Sequence, residues 1–229
     1  MSGVLRTRPG WFACLAAGVL LVVWACGGDQ PVEPEPEPEP TEWTEPIVPA
    51  PNVDVPRGVQ LTEEGSELAI GETASAIYRA DRSRVSVVDV TVSSVLRGSI
   101  GRDFTTFDLP EKVADQTPYY VRVRVTNDGP GPLAGAAVPV YALDSTATYF
   151  PATSLLGTLP ACPGGPLPMP FAPQDTQTRC LLFLAPDGVR IQEIQLRPYE
   201  GYDPVSWTVP DRVERYQPSQ PPDGPKKRG

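Results

Sequence analysis

Apolar and polar residues alternate with a period of two through much of the chain after residue 57. Val88, Val90 and Val92 interleave with Asp89, Thr91 and Ser93, and Tyr119, Val121, Val123 and Val125 with Tyr120, Arg122, Arg124 and Thr126. Val205, Trp207 and Val209 interleave with Ser206 and Thr208. Such alternation puts one face of an extended segment on a core and the other in water, as in antiparallel sheets. Further strands are expected at Ala74–Arg79, Ala137–Leu143, Arg179–Ala185 and Ile191–Arg197. Between them stand Asn127-Asp128-Gly129-Pro130, Pro186-Asp187-Gly188 and Arg197-Pro198, residues that favour turns through fixed or positive φ and side-chain bonding to the backbone. Glu111–Gln116 is the one segment that suggests a short helix. Seven or more short strands at this spacing predict an all-β, antiparallel β-sandwich over residues 57–216, with 217–229 as a disordered tail.

The first 56 residues follow other rules. Arg6 and Arg8 precede a 15-residue apolar run, Trp11–Ala25, which is short for a membrane span of about 20 residues and has the form of a secretion signal. The run ends in Val23-Trp24-Ala25-Cys26. An apolar residue at −3, a small one at −1 and then cysteine resembles the lipobox of bacterial lipoproteins. That resemblance implies cleavage after residue 25, lipidation of Cys26 and an extracytoplasmic protein anchored to the cell membrane. Trp24 departs from the pattern, which usually has a small residue at −2. Cys14, inside the apolar run, matches it poorly.

Residues 26–56 form the expected linker. From Gly27 to Pro56 there is no basic residue, while Asp29, Glu33, Glu35, Glu37, Glu39, Glu42, Glu45 and Asp54 are acidic. Each proline restricts φ and pushes its predecessor towards extended conformations, so the Glu-Pro repeat favours polyproline II and cannot form a core. Fully extended, this disordered stalk would reach roughly 90 Å at about 3.1 Å per residue. The whole chain has 19 basic and 28 acidic residues, a net charge of −9. Because eight of those acids lie in the stalk, the low pI describes the stalk more than the sandwich. No clustered basic face of the kind nucleic acid requires is present, and Lys226-Lys227-Arg228 ends a proline-rich tail.

With Cys14 in the signal and Cys26 lipidated, Cys162 and Cys180 remain, and an exported domain favours joining them in a disulfide. The loop they would close, from Cys162 to Cys180, is rich in proline and glycine.

The strand and turn motifs also carry a family resemblance. YYVRVRVTNDGPGPL, RCLLFLAPDGVRIQEIQLRP and PVSWTVP resemble an immunoglobulin-like β-sandwich domain of unknown function found in Gram-positive surface lipoproteins, and a secreted mycobacterial immunogenic protein has a similar sandwich. The matching features fall on Tyr120–Gly129, Phe183–Gly188 and Trp207, within a span from Thr73 to Pro210. The resemblance implies fold and location and no activity.

Catalytic chemistry is sparse. The sequence has no histidine, so triads and Cys-His pairs that depend on it have no base. Phosphate-cradling loops, calcium-loop spacings and GxSxG are absent, and no cofactor or metal is expected. Lys112 is the one lysine outside the tail. Asp103 with Asp108, and Glu200 with Asp203, are the carboxylate pairs that sequence proximity offers for acid–base work, with solvated loop acids as the simpler use. Asn127-Asp128-Gly129 and Asp187-Gly188 suit turns before they suit calcium.

Two stretches offer a binding surface. Leu167, Met169 and Phe171 alternate with prolines in the clamped loop, and Tyr199 and Tyr202 flank acids before the last strand. Each stretch has an alternative use, as a cap on the sandwich core or as buried rings in a connection. Trp207 is assigned to the core by its phase with Val205 and Val209. The expected function is a lipid-anchored, non-enzymatic envelope protein whose sandwich binds another envelope protein or a wall polymer. The alternative is an accessory lipoprotein that captures a small ligand or sugar for a transporter or sensor, which a mainly apolar cavity would favour.

Overall fold

The structure is a computed structural model that describes residues 51–218. The expected signal, Cys26, the linker up to residue 50 and the tail from residue 219 lie outside the described residues.

Two sheets face each other. The four-stranded sheet has the order β2-β3-β4-β7, formed by Thr73–Arg79, Val85–Arg97, Thr117–Asn127 and Thr176–Ala185. The five-stranded sheet has the order β1-β9-β8-β5-β6, formed by Glu67–Leu68, Val205–Thr208, Ile191–Leu196, Val140–Asp144 and Tyr149–Pro151. All pairings are antiparallel except the short one between β1 and β9. The chain changes sheet between β1 and β2, β4 and β5, β6 and β7, and β7 and β8, so the two layers are stitched by non-local pairing. This is the all-β sandwich that the alternation predicts.

Expected and observed strands differ where backbone chemistry intervenes. Ala137–Leu143 begins only at Val140, because Pro139 has no N–H to give the ladder; its carbonyl instead accepts from Arg197 N–H at 2.9 Å. β3 runs to Arg97, well past the expected alternation that ends at Ser93, and shifts register between Val92 and Ser94. The extra residue lets Val95 pair with Val121 and face the core, where strict alternation would have turned it to solvent. Two four-residue helices, α1 at Ile100–Asp103 and α2 at Glu111–Ala114, lie between β3 and β4. The second falls within the expected helical segment.

The inter-sheet core contains Val88, Val90 and Val92 from β3, Val121, Val123 and Val125 from β4, Phe183 from β7 and Trp207 from β9. Trp207 is fully buried, and its indole N–H donates to the Glu72 carbonyl at 3.0 Å, so its one polar atom is satisfied. Fully buried Asn127 accepts a bond from the Ser86 hydroxyl (2.6 Å) and donates to the Gly131 carbonyl (2.9 Å). It thereby ties the turn after β4 to β3. A β-carbon at Gly131 would collide with the Val85 carbonyl, which explains a glycine there.

A second apolar cluster lies on the other face of the four-stranded sheet. Tyr120, Cys180 and Leu182, on the outward side of β4 and β7, pack with Phe104, Leu159 and Cys162 from the connecting loops. Cys162 and Cys180 are joined, with Cα atoms 5.1 Å apart. Alternation alone places Tyr120 in water; the structure buries it to 2% exposure.

Candidate functional site

The loop and turn chosen from sequence do not form one surface. Leu167 and Phe171 are each about 1% exposed and belong to the inter-sheet core, which corrects their assignment to a binding surface. Their carbonyls accept from Gly135 and Leu133 N–H, at 3.2 Å in each case, so the loop is sewn over the open end of the sandwich. Met169 alone projects, at 82% exposure. Tyr202 is likewise buried, packing edge-on to Tyr199 with ring centroids 5.2 Å apart. Half-buried Tyr199 donates its hydroxyl to Glu64 at 3.0 Å, and the Glu64 carboxylate also accepts from Asp203 N–H at 3.0 Å. The aromatic-acidic turn is therefore a latch onto the segment before β1. Burial pushes the Tyr202 phenol well above its ordinary range, and the nearby Glu64 charge adds to that.

The carboxylate pairs also change partners. Asp103 accepts from Ser99 N–H (2.8 Å), Tyr120 OH (2.8 Å) and Arg102 (2.7 Å). Burial alone would raise its pKa, but these bonds outweigh it and hold the carboxyl below its ordinary value. Asp103 is thus a structural anchor of the second cluster. Glu200 and Asp203 stay in the latch. The carboxyls that do meet are Asp89, on the outer face of β3, and Asp128, in the turn after β4. Burial, followed by a hydrogen bond and repulsion from Asp89, pushes Asp128 up to about 6. Asp89 also takes the Ser75 hydroxyl. Neither acid lines either of the two cavities described below, and no group of three or more metal-ligating side chains occurs among the described residues.

Two features are better suited to binding. The first is an aromatic–arginine cluster on the outer face of the five-stranded sheet. Leu143 and Tyr149 are paired residues of the β5–β6 hairpin, so Tyr141 and Tyr149 share the outward face and meet edge-on at 6.1 Å between centroids. Arg197 lies over the Tyr149 ring at 4.0 Å. Its Nε donates to Gln195 Oε1 at 2.9 Å, and Gln195 Nε2 donates to Glu193 at 2.9 Å. Asp144 holds the hairpin turn by accepting from Thr146 N–H (2.8 Å) and Thr148 N–H (3.1 Å). Tyr149 remains 54% exposed.

The second is a groove of ≈ 420 Å³ between the β5–β6 edge of one sheet and β7, the edge of the other. Tyr141, Leu155, Leu159 and Leu182 supply its apolar wall, Ser154 and Thr158 its hydroxyls, and the Cys162–Cys180 bridge one side. The sequence carries a sign of this double use of β7. Cys180–Leu184 is a continuous apolar run, which signals a strand covered on both faces. The Tyr141–Tyr149 pair carries no such sign in the sequence, because it depends on the hairpin register.

No family model matches the chain, and no curated protein matches it. Among solved structures, the chain is similar to the secreted protein MPT63 of Mycobacterium tuberculosis, with a TM-score of 0.43 and 11% sequence identity over 65% of this chain and 100% of that one.

Proposed function

We propose that this chain is a non-catalytic interaction module of the bacterial cell envelope, held at the membrane by a lipid on Cys26 and carried outward by the acidic proline-rich linker. The Tyr141–Tyr149–Arg197 cluster carries the reading. Tyrosine and arginine are the side chains most often found at interface hot spots. Here Arg197 is held by the Tyr149 ring and by Gln195, so docking would immobilise little that is not already fixed. The partner is another envelope protein or a wall polymer. The Cys162–Cys180 bridge supports an oxidising compartment.

A photoreactive residue replacing Tyr149 in cells should give one dominant adduct that is missing when the probe replaces Arg124, an exposed position on the outside of the other sheet. Identical adduct patterns at the two positions, or none, would sink the proposal. Cys26→Ala should shift the protein to the medium or leave an uncleaved precursor; normal processing and membrane retention would exclude lipidation.

The groove supports a second reading, capture of a small, mainly apolar ligand, since its volume lies within the roughly 300–1,000 Å³ of small-molecule sites. Native mass spectrometry of the chain purified from cells tests it: a stoichiometric small molecule lost in Leu155→Arg would put this reading first.

A further inference from the structure

At the end of β3 the chain places two arginines side by side. Residues 213–216 run along it, with Arg97 N–H donating to the Glu214 carbonyl (2.8 Å) and Tyr216 N–H to the Arg97 carbonyl (2.9 Å). Arg97 and Arg215 are therefore direct partners across a parallel bridge. Like charges placed opposite each other repel, and folds usually set a carboxylate nearby. None is here. The ion pairs among the described residues join Arg84 to Asp81, Arg102 to Asp103 and Arg190 to Asp211. The one side-chain bond of Arg97 is a long contact of 3.5 Å to the Thr117 hydroxyl.

Both arginines line a polar cavity of ≈ 360 Å³, together with Arg102, Ser99, Gln116 and Thr117, and no acidic residue lines it. Arg102 is held by groups outside the cavity: Asp103, whose side chain is 2% exposed, and the Tyr216 carbonyl at 2.9 Å. Two exposed guanidinium groups thus face a cavity without an acid and make no ion pair, and a third is fixed at the wall. Planar guanidinium donors match the oxygens of a phosphate group, two bonds at a time.

We infer that this cavity is an oxyanion site in which Arg97 and Arg215 grip a phosphate group, with Arg102, Thr117 and Gln116 completing the shell. The ligand is a phosphate ester, whether free in solution or on a lipid headgroup. The site shares no residue with the Tyr141–Tyr149–Arg197 cluster and does not depend on the function proposed for it.

The test is calorimetric titration of the full chain in non-ionic detergent with inorganic phosphate, beside thermal melts. Saturable 1:1 binding is expected, weakened about tenfold or more in Arg97→Gln and in Arg215→Gln but unchanged in Arg124→Gln. Phosphate should raise the melting temperature of the unmodified chain and not that of Arg97→Gln. Without phosphate, Arg97→Gln should melt no lower than the unmodified chain, because it relieves a repulsion. A purely structural arginine would give the opposite result, a lower melt that phosphate does not alter. Absence of saturable binding, or equal weakening in Arg124→Gln, would overturn the inference. Competition identifies the source of the phosphate: short-chain phosphatidylglycerol displacing phosphate more strongly than glycerol 3-phosphate marks a lipid headgroup, and the reverse order marks a soluble ester.

Discussion

The inter-sheet core and the smaller cluster outside the four-stranded sheet bury similar residue types by different means. The core is made mainly by strands, with loop residues such as Leu167 and Phe171 closing one end, and most of its backbone groups are satisfied in the same ladders that hold its valines in place. The outer cluster covers only one end of its sheet. There Tyr120, Cys180 and Leu182 meet loops around Phe104 and Leu159, while Arg122 and Arg124 further along β4 stand in solvent. Those loops contain two single-turn helices and many irregular residues, so little of their order is local. A covalent bridge and one buried carboxylate, Asp103, do the work that ladders do elsewhere. Burial can therefore be achieved without secondary structure where a crosslink limits the freedom of the unfolded chain.

Four variants probe this contrast. Trp207→Ala removes the largest core side chain and leaves the Glu72 carbonyl without its donor, so it should cost about 3–5 kcal/mol in urea unfolding. A smaller loss would mean that the core collapses around the gap. Replacing Cys162 and Cys180 together by serine should cost about 3 kcal/mol, and hydrogen exchange should speed up in residues 153–163 before it does in β3 or β4. Uniform acceleration would show that the two clusters unfold as one unit. Tyr120→Phe deletes a single bond to Asp103 and should cost about 1 kcal/mol, read as a lower denaturant midpoint.

The smallest effect is expected from Asp128→Asn, on the uncovered part of the same sheet face. Its folded pKa of about 6 lies above the ordinary value of 3.8, so the native state holds a proton that the unfolded chain releases. That contribution is complete below about pH 4 and disappears as the pH rises through 6. The asparagine variant should flatten melting temperature against pH between those values and melt no lower at pH 7. An unchanged slope would mean that Asp89 and Asp128 do not share a proton.

The alternation of Val88–Val92, Tyr119–Val125 and Val205–Val209 determined the inter-sheet core, because a strand with a two-residue period has one face to bury and one to hydrate. Composition singled out Cys162 and Cys180 for pairing by the same local logic. What local pattern could not decide was the second use of a face already assigned to water. Tyr120 looks solvated until the loops that carry Phe104 and Leu159 fold over it. Leu167 and Phe171 look available until the sandwich end needs a lid. The Tyr141–Tyr149 pair exists only in one hairpin register, and Arg97 meets Arg215 only because a segment more than 100 residues later returns alongside β3. Periodicity reports which way a side chain points. Only tertiary structure supplies what it meets there, because those partners come from distant parts of the chain.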